Sequence, residues 1–277
     1  MSRVTARKRM RRISPNGIVE RPDSLAVEEP LEIRLDGRSL TVTMRTPGSD
    51  IELVHGFLLG EGIIHTAEDV VSARYCAGTD EDGRNTYNVL DIHLRNPTAV
   101  HSRNFLTTSA CGLCGKTALD EVRTRTRYPL PTSSITLDSN TLAVLPDRLR
   151  TRQTVFDATG GLHAAGLFTT DGTALAVRED IGRHNAVDKV LGWALLQNRI
   201  PAHDLILIVS GRASFELVQK AVMAGIPILG AVSAPSSLAV DLATESGLTL
   251  VGFLRGDTMN IYTRPDRLTI TDEVAAY

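Results

Sequence analysis

The stretch Arg178-Glu179-Asp180-Ile181-Gly182-Arg183-His184-Asn185-Ala186-Val187-Asp188-Lys189 decides how the rest of the chain reads. An apolar strand-like run, Thr173 to Val177, leads into it, and a helical pattern leaves it. It is therefore a strand-to-helix turn. Three cations (Arg178, Arg183, Lys189), three carboxylates (Glu179, Asp180, Asp188), one imidazole and one amide are packed into it. A self-neutralising cluster of solvated ion pairs accounts for that composition as readily as a binding site does. The functional reading rests on position. Backbone N–H groups that open a helix attract anions, and guanidinium forks suit phosphate or pyrophosphate.

Toward the C-terminus the same strand–turn–helix grammar repeats. Apolar runs at His163–Phe168, Ala174–Val177, Leu205–Val209, Ile226–Val232 and Leu248–Leu254 alternate with helical patterns at 184–198, 213–224 and 236–246. Continuously apolar strands separated by helices describe a sheet covered on both faces. A three-layer α/β domain is expected over 150–265, inside a C-terminal portion of 136–277.

Toward the N-terminus, residues 21–135 read as a β-rich portion. Leu31-Glu32-Ile33-Arg34-Leu35 and Leu40-Thr41-Val42-Thr43-Met44 alternate on either side of Asp36-Gly37, a strong hairpin signal. Asp50 is placed to cap a short apolar helix through Leu53, Val54, Phe57 and Leu58, and Tyr87 to Leu94 resumes strand alternation. Ser139 to Val155 predicts a second helix, weakened by Pro146. Residues 1–20 are expected to be a disordered basic tail, since six Lys/Arg and no acid fall within residues 1–12.

Removing those six cations from the net charge of −2 leaves −8 on the remainder, which argues against a general nucleic-acid surface. Aromatics make up 4% of the chain, so its core must rest on Val, Leu, Ile and Ala. No apolar run approaches the ~20 residues that span a bilayer. The N-terminus has no apolar segment of the secretory type, so a cytoplasmic, reducing location is expected. Three cysteines, two of them in one CxxC, do not make a disulfide framework. In a reducing compartment that spacing points to metal, or to sulfur and redox chemistry.

The CxxC is Cys111-Gly112-Leu113-Cys114, and a glycine follows each cysteine. A helix beginning near Gly115 would set its positive end by the thiols, with Lys116 adding charge, and both favour thiolate. Zinc shared with Cys76 and a histidine stays open, although no second CxxC or His-x-x-x-His exists. Zinc-deaminase chemistry is excluded: Ala110 precedes the first cysteine and no His-x-Glu occurs. Gly115-Lys116-Thr117 imitates the end of a P-loop, but Ala110 stands where its first glycine belongs. Three further groups of residues follow or precede strands, where open α/β sheets bind ligands. They are Thr159-Gly160-Gly161-Leu162-His163, then Ser210-Gly211-Arg212 with Ser233-Ala234, and finally Phe253-Leu254-Arg255-Gly256-Asp257 with Thr258. With Arg178, Asp180, Gly182, Arg183, His184 and Asn185 they make an anionic, nucleotide-bearing ligand the expected occupant.

The motifs CGLCG, TGGLHAAGLF, REDIGRHNAVDKVLG, SGRASFELVQKA, SAPSSLAVDLA and GLTLVGFLRGDTMNIY, with LVHGFLLGEGII before them, closely resemble the FdhD family, the formate dehydrogenase accessory sulfurtransferases. The resemblance runs from about Val54 to Tyr262. It implies a cytidine-deaminase-like α/β fold without the deaminase zinc, and no metal of its own. It implies a persulfide on Cys111 or Cys114, loaded by a cysteine desulfurase. The sulfur would pass to the bis(molybdopterin guanine dinucleotide) cofactor of formate dehydrogenase, for which GDP is a mimic. A homodimer without membrane or nucleic-acid partners is expected. A cofactor chaperone with a structural CxxC and a dithiol oxidoreductase remain as alternatives. Cys76 stands outside the pattern and is expected to be a buried structural thiol, and residues 107–116 are expected to form a mobile delivery loop.

Overall fold

The computed structural model describes residues 4–76, 78, 86–96, 105–106, 126–131 and 135–270. Residues expected to trail as a disordered tail instead open the chain as a ribbon. Strands β1 (Thr5–Ser14) and β2 (Gly17–Ala26) pair antiparallel along their whole length. The reason lies in Asn16-Gly17, a hairpin turn signal set between Ile13 and Ile18, which the neighbouring run of cations hides. Gly17 adopts φ 114°, which favours glycine, and Arg11 Nη2 reaches Glu20 Oε1 across the ribbon at 2.6 Å.

The hairpin at Asp36-Gly37 forms as expected from β3 (Glu29–Leu35) and β4 (Arg38–Arg45). Helix α1 (Asp50–Gly60) follows, then β5 (Val70–Tyr75), β6 (Val89–Leu94) and β7 (Phe105–Leu106). These strands make a five-stranded sheet ordered β5-β6-β3-β4-β7. Alternate residues of β3 and β6, Leu31, Ile33, Leu35, Leu90, Ile92 and Leu94, turn to one core with Leu53, Val54 and Leu58 of α1. Every residue from Leu53 to Gly60 is buried, as in a helix enclosed on all sides.

The remaining elements are β8 (Leu137–Asp138), α2 (Ser139–Arg150), α3 (Thr154–Thr159), β9 (His163–Phe168), β10 (Ala174–Asp180), α4 (Arg183–Leu196), β11 (Ile206–Val209), α5 (Phe215–Met223), β12 (Ile228–Ala231), α6 (Ser237–Ser246), β13 (Thr249–Arg255), β14 (Thr258–Ile261) and β15 (Leu268–Thr269). The helix expected to run to Val155 stops at Arg150 and restarts as α3; Pro146 lies inside α2 without ending it. Strands β9 to β14 form a mixed sheet ordered β10-β9-β11-β12-β13-β14, in which only β11, β12 and β13 are mutually parallel. Ile206, Ile208, Ile228 and Val251 face Leu142, Leu145 and Leu149 of α2. Leu207, Val209, Leu229 and Leu250 face the opposite core, which α4 and α5 share with α1 and the five-stranded sheet. The chain is thus a mixed α/β protein whose larger sheet carries helices on both faces.

Helices α1 and α4 cross through two glycines. A Cβ on Gly56 would lie 1.9 Å from the Asp188 carbonyl oxygen, and one on Gly192 would lie 1.7 Å from that of Glu52. Both obstacles are backbone, so neither can turn aside. We expect Gly192→Ala to cost about 1–3 kcal/mol or more in denaturant unfolding. Gly161→Ala, whose Cβ would meet nothing closer than 3.9 Å, should stay within about 0.5 kcal/mol of the parent.

Candidate functional site

Strands β10, β11, β12 and β13 all end at one edge of the larger sheet. Strand β9 begins there, because it runs antiparallel between β10 and β11 and sets His163 opposite Asp180. The turns beyond this edge are stitched to one another by backbone. Ser210 N–H donates to Ala164, Ser233 N–H to Gly211, Ala213 N–H to Ala234 and Phe253 N–H to Ser233, at 3.0–3.3 Å. The hydroxyl of Ser210 accepts from Ala164 N–H at 2.9 Å. A Cβ on Gly211 would sit 3.5 Å from Nδ1 of His163 and 3.9 Å from Cδ of Arg183, so these residues share one small hollow. Phe253 stands at its rim with φ 51°, left-handed for a non-glycine residue, and is 42% exposed. Such strain persists where surrounding structure holds it, here at a bulge between Gly252 and Arg255.

The charge cluster of the opening stretch resolves into pairs. Arg178 is held by Glu52 of α1 through bonds of 2.6 and 2.7 Å. Glu179 accepts from the N–H groups of Val155 and Phe156 that open α3. Asp180 is fully buried, pairs with Lys189 at 2.7 Å, and accepts from Thr46 N–H, Gly182 N–H and Asn185 Nδ2. Asn185 also donates to the Met44 carbonyl and accepts from the Thr43 hydroxyl. Asp188 pairs with Lys220 of α5 at 2.6 Å. Four of these side chains, Arg178, Glu179, Asn185 and Asp188, therefore fasten the turn to α1, α3, β4 and α5, and Asp180 ties it to Thr46 just past β4. Arg183 is different: its Nε is buried and has no hydrogen-bond partner among the described residues. A buried donor left unmatched at a helix start is where an anion is most favoured.

The histidines beside Arg183 are held neutral. Burial pulls His163 below its ordinary value and the Arg183 cation adds to this, while Asp180 opposes. His184 is pushed down to about 3, first by burial and then by Arg183, Lys220 and His163. Its Nε2 lies 3.2 Å from the Ser214 hydroxyl and its Nδ1 3.2 Å from a Glu216 carboxylate oxygen. Of the two, His163 is the one whose neutral imidazole can donate to an anion beside Arg183 without itself demanding a counter-charge, since both ring nitrogens of His184 face protein partners.

A family model described as the FdhD/NarQ family matches residues 26–269. The chain belongs to that family. It is 76% identical over 266 residues to the "Sulfur carrier protein FdhD" of Nocardia farcinica, spanning 96% of this chain and 95% of the relative. It is 57% identical over 276 residues to the protein of that name from Mycobacterium tuberculosis, spanning 97% of this chain and 100% of the relative. A crystal structure from Desulfotalea psychrophila, described as a candidate formate dehydrogenase accessory protein, superposes with a TM-score of 0.76 at 26% identity. It covers 96% of this chain and 100% of its own.

Against the expectations for an FdhD-type site, His163, Arg183, His184, Ser210, Gly211, Ser233, Ala234 and Phe253 do gather at the one edge. Gly182 is the residue just before α4, and Gly160, at φ 68°, ends α3 beside exposed Gly161. Arg212 is exposed, and Arg255, exposed as well, donates from Nε to the Val232 carbonyl. Gly256 and Asp257 make the tight β13–β14 turn, and Thr258 opens β14 opposite Arg255. Four of the expected site residues are placed in the framework instead. Leu254 is fully buried against the α2 face, Arg178 is consumed by Glu52, and Asp180 and Asn185 are buried framework. Cys76 is only partly buried, so it is not the core thiol expected. Cys111, Cys114 and the expected mobile loop 107–116 lie outside the described residues. Ser214 and Glu216, not expected at the site, are the partners of His184. The only cue was their place in SGRASFELVQKA, two residues apart, one on each side of a helix start. Among the described residues no helix is long and apolar enough to cross a membrane.

Proposed function

We propose that this chain is a sulfur carrier that loads Cys111 with sulfane sulfur from a cysteine desulfurase. It delivers that sulfur to the bis(molybdopterin guanine dinucleotide) cofactor of formate dehydrogenase. The Cys111 thiolate attacks the outer sulfur of the donor's persulfide, a new S–S bond forms, and the donor's own thiolate leaves. Cys114 then relays the sulfur, or releases it as hydrogen sulfide by closing a disulfide with Cys111. The cofactor is the substrate, and its pyrophosphate is read by the hollow of Arg183, His163 and Gly211. The observation that carries the ligand class is the buried, unpartnered Nε of Arg183 at the start of a helix. The names of the relatives support the sulfur-carrier role. The covered sheet is compatible with cytidine-deaminase-like layering. Two copies acting together in the cytoplasm complete the reading.

Cysteine labelled in its sulfur, supplied with a desulfurase, tests the transfer. Label must appear on the CxxC and pass onward to the cofactor; label that never leaves favours a dithiol oxidoreductase, and no label favours a chaperone. Calorimetry with GDP tests the hollow. Arg183→Ala should lose about 1.5–3 kcal/mol, the worth of a charge-assisted hydrogen bond. Arg255→Ala should lose less, because that guanidinium is exposed and already engaged by Val232. Equal affinity of the Arg183 variant and the parent would take the phosphate out of this hollow.

A further inference from the structure

His184 has a second set of partners, on the side of α5. Its Nε2 meets the Ser214 hydroxyl at 3.2 Å and its Nδ1 meets Glu216 Oε2 at 3.2 Å. That is the order of a serine nucleophile, its base and the acid that orients the base. Ser214 occupies the cap position of α5, yet its side chain makes no capping hydrogen bond. A serine there ordinarily turns its oxygen to the helix's first N–H groups. Here the Ser214 carbonyl takes the N–H of Leu217 and Val218, and the hydroxyl is left for the imidazole. The N–H groups of Phe215 and Glu216, which have no acceptor within the helix, remain beside the hydroxyl as donors for a developing oxyanion.

We propose that Ser214, His184 and Glu216 form an acyl-transfer site, with Ser214 as nucleophile toward esters or thioesters. It is independent of the sulfur-carrier reading, since neither cysteine takes part. In the step, a bond forms between Ser214 Oγ and the acyl carbon, and the bond from that carbon to the alcohol or thiol breaks. The Oγ proton passes to His184 Nε2 and on to the leaving group. Water repeats the sequence to free the carboxylic acid and restore the serine. Glu216 is a positioning residue; half exposed, it holds Nδ1–H and so leaves Nε2 to accept. The groups facing His184 are Arg183, His163, Lys220 and Glu216. Burial first, and the cations after it, keep the imidazole neutral at neutral pH, which leaves Nε2 free to accept. The same burial and cations make it a weak base, so turnover is slow and an activated reagent is the suitable probe.

The full chain is treated with a fluorophosphonate, which phosphonylates activated serines with loss of fluoride, and the adduct is mapped by mass spectrometry. The expected adduct is on Ser214. Labelling should be lost in Ser214→Ala and slowed at least ~100-fold in His184→Gln, the scale of one acid–base group. His184 is largely buried and its variant can fail to fold, so the exposed Glu216 gives a second reading. Glu216→Gln should slow labelling several-fold and Glu216→Asp should restore part of it. No adduct on Ser214, or equal rates for Glu216→Gln and the parent, overturns the proposal.

Discussion

Cys111→Ala is expected to abolish persulfide loading altogether while leaving the unfolding transition of the protein unchanged. The argument is chemical first. Only a thiolate can accept sulfane sulfur, and a methyl group in its place offers no nucleophile. The unchanged transition is an expectation from the sequence. Gly112 and Gly115 follow the two cysteines, and from the sequence alone neither cysteine is expected to be a core residue. Cys114→Ala should still load, and fail at relay or release, so label would accumulate on Cys111 and not reach the cofactor. Mass spectrometry of both variants after incubation with the desulfurase decides it. Added sulfur found on Cys114 and never on Cys111 in the parent reverses the order of the two residues.

What could be read in the letters was what depends on short range. The continuous apolar runs at Leu205–Val209 and Ile226–Val232 announced strands buried on both faces, and β11 and β12 are buried throughout. Asp36-Gly37 announced its hairpin. The convergence of the strand-end turns followed from strand polarity, because parallel strands end on one side. The same signals left the sheet's mixed character open, since nothing in His163–Phe168 says that β9 runs against β11. Pairing over long separations was the part that stayed hidden. Arg178 and Arg183 look alike in sequence, five residues apart in one turn. One meets Glu52, 126 residues away, and the other has a buried Nε with no hydrogen-bond partner among the described residues. Leu254 sits among site residues in the chain, but alternation turns its side chain to the opposite face. Ser214 looks like an ordinary helix cap, and only the approach of α4 shows its hydroxyl turned elsewhere.

The framework that holds this site should be as fragile as it is enclosed, and Lys220→Met is the sharpest test of it. Lys220 and Asp188 are both almost wholly buried, with the amine 2.6 Å from the carboxylate and 5.7 Å from the centre of the Phe57 ring. A Cβ on Gly60 would come within 3.1 Å of the Lys220 stem, so methionine of similar length fits the same channel. What it cannot do is answer the charge. Removing one member of a buried pair costs about 3–5 kcal/mol, because the survivor is left buried and unpaired. Burial already pushes Asp188 up to about 6 even with Lys220 pulling it down. Without the lysine the folded-state value climbs further, while the unfolded value stays ordinary. A carboxyl raised in the folded state favours the fold below its unfolded value and loses that advantage as pH rises through its folded one. The deficit of Lys220→Met should therefore be smaller at pH 5 than at pH 8, and Asp188→Asn added to it should recover most of the loss at pH 8. Denaturant unfolding of the parent and both variants at the two pH values measures this directly. A deficit independent of pH, or no recovery in the double variant, would mean that lost packing and not the stranded carboxylate sets the cost.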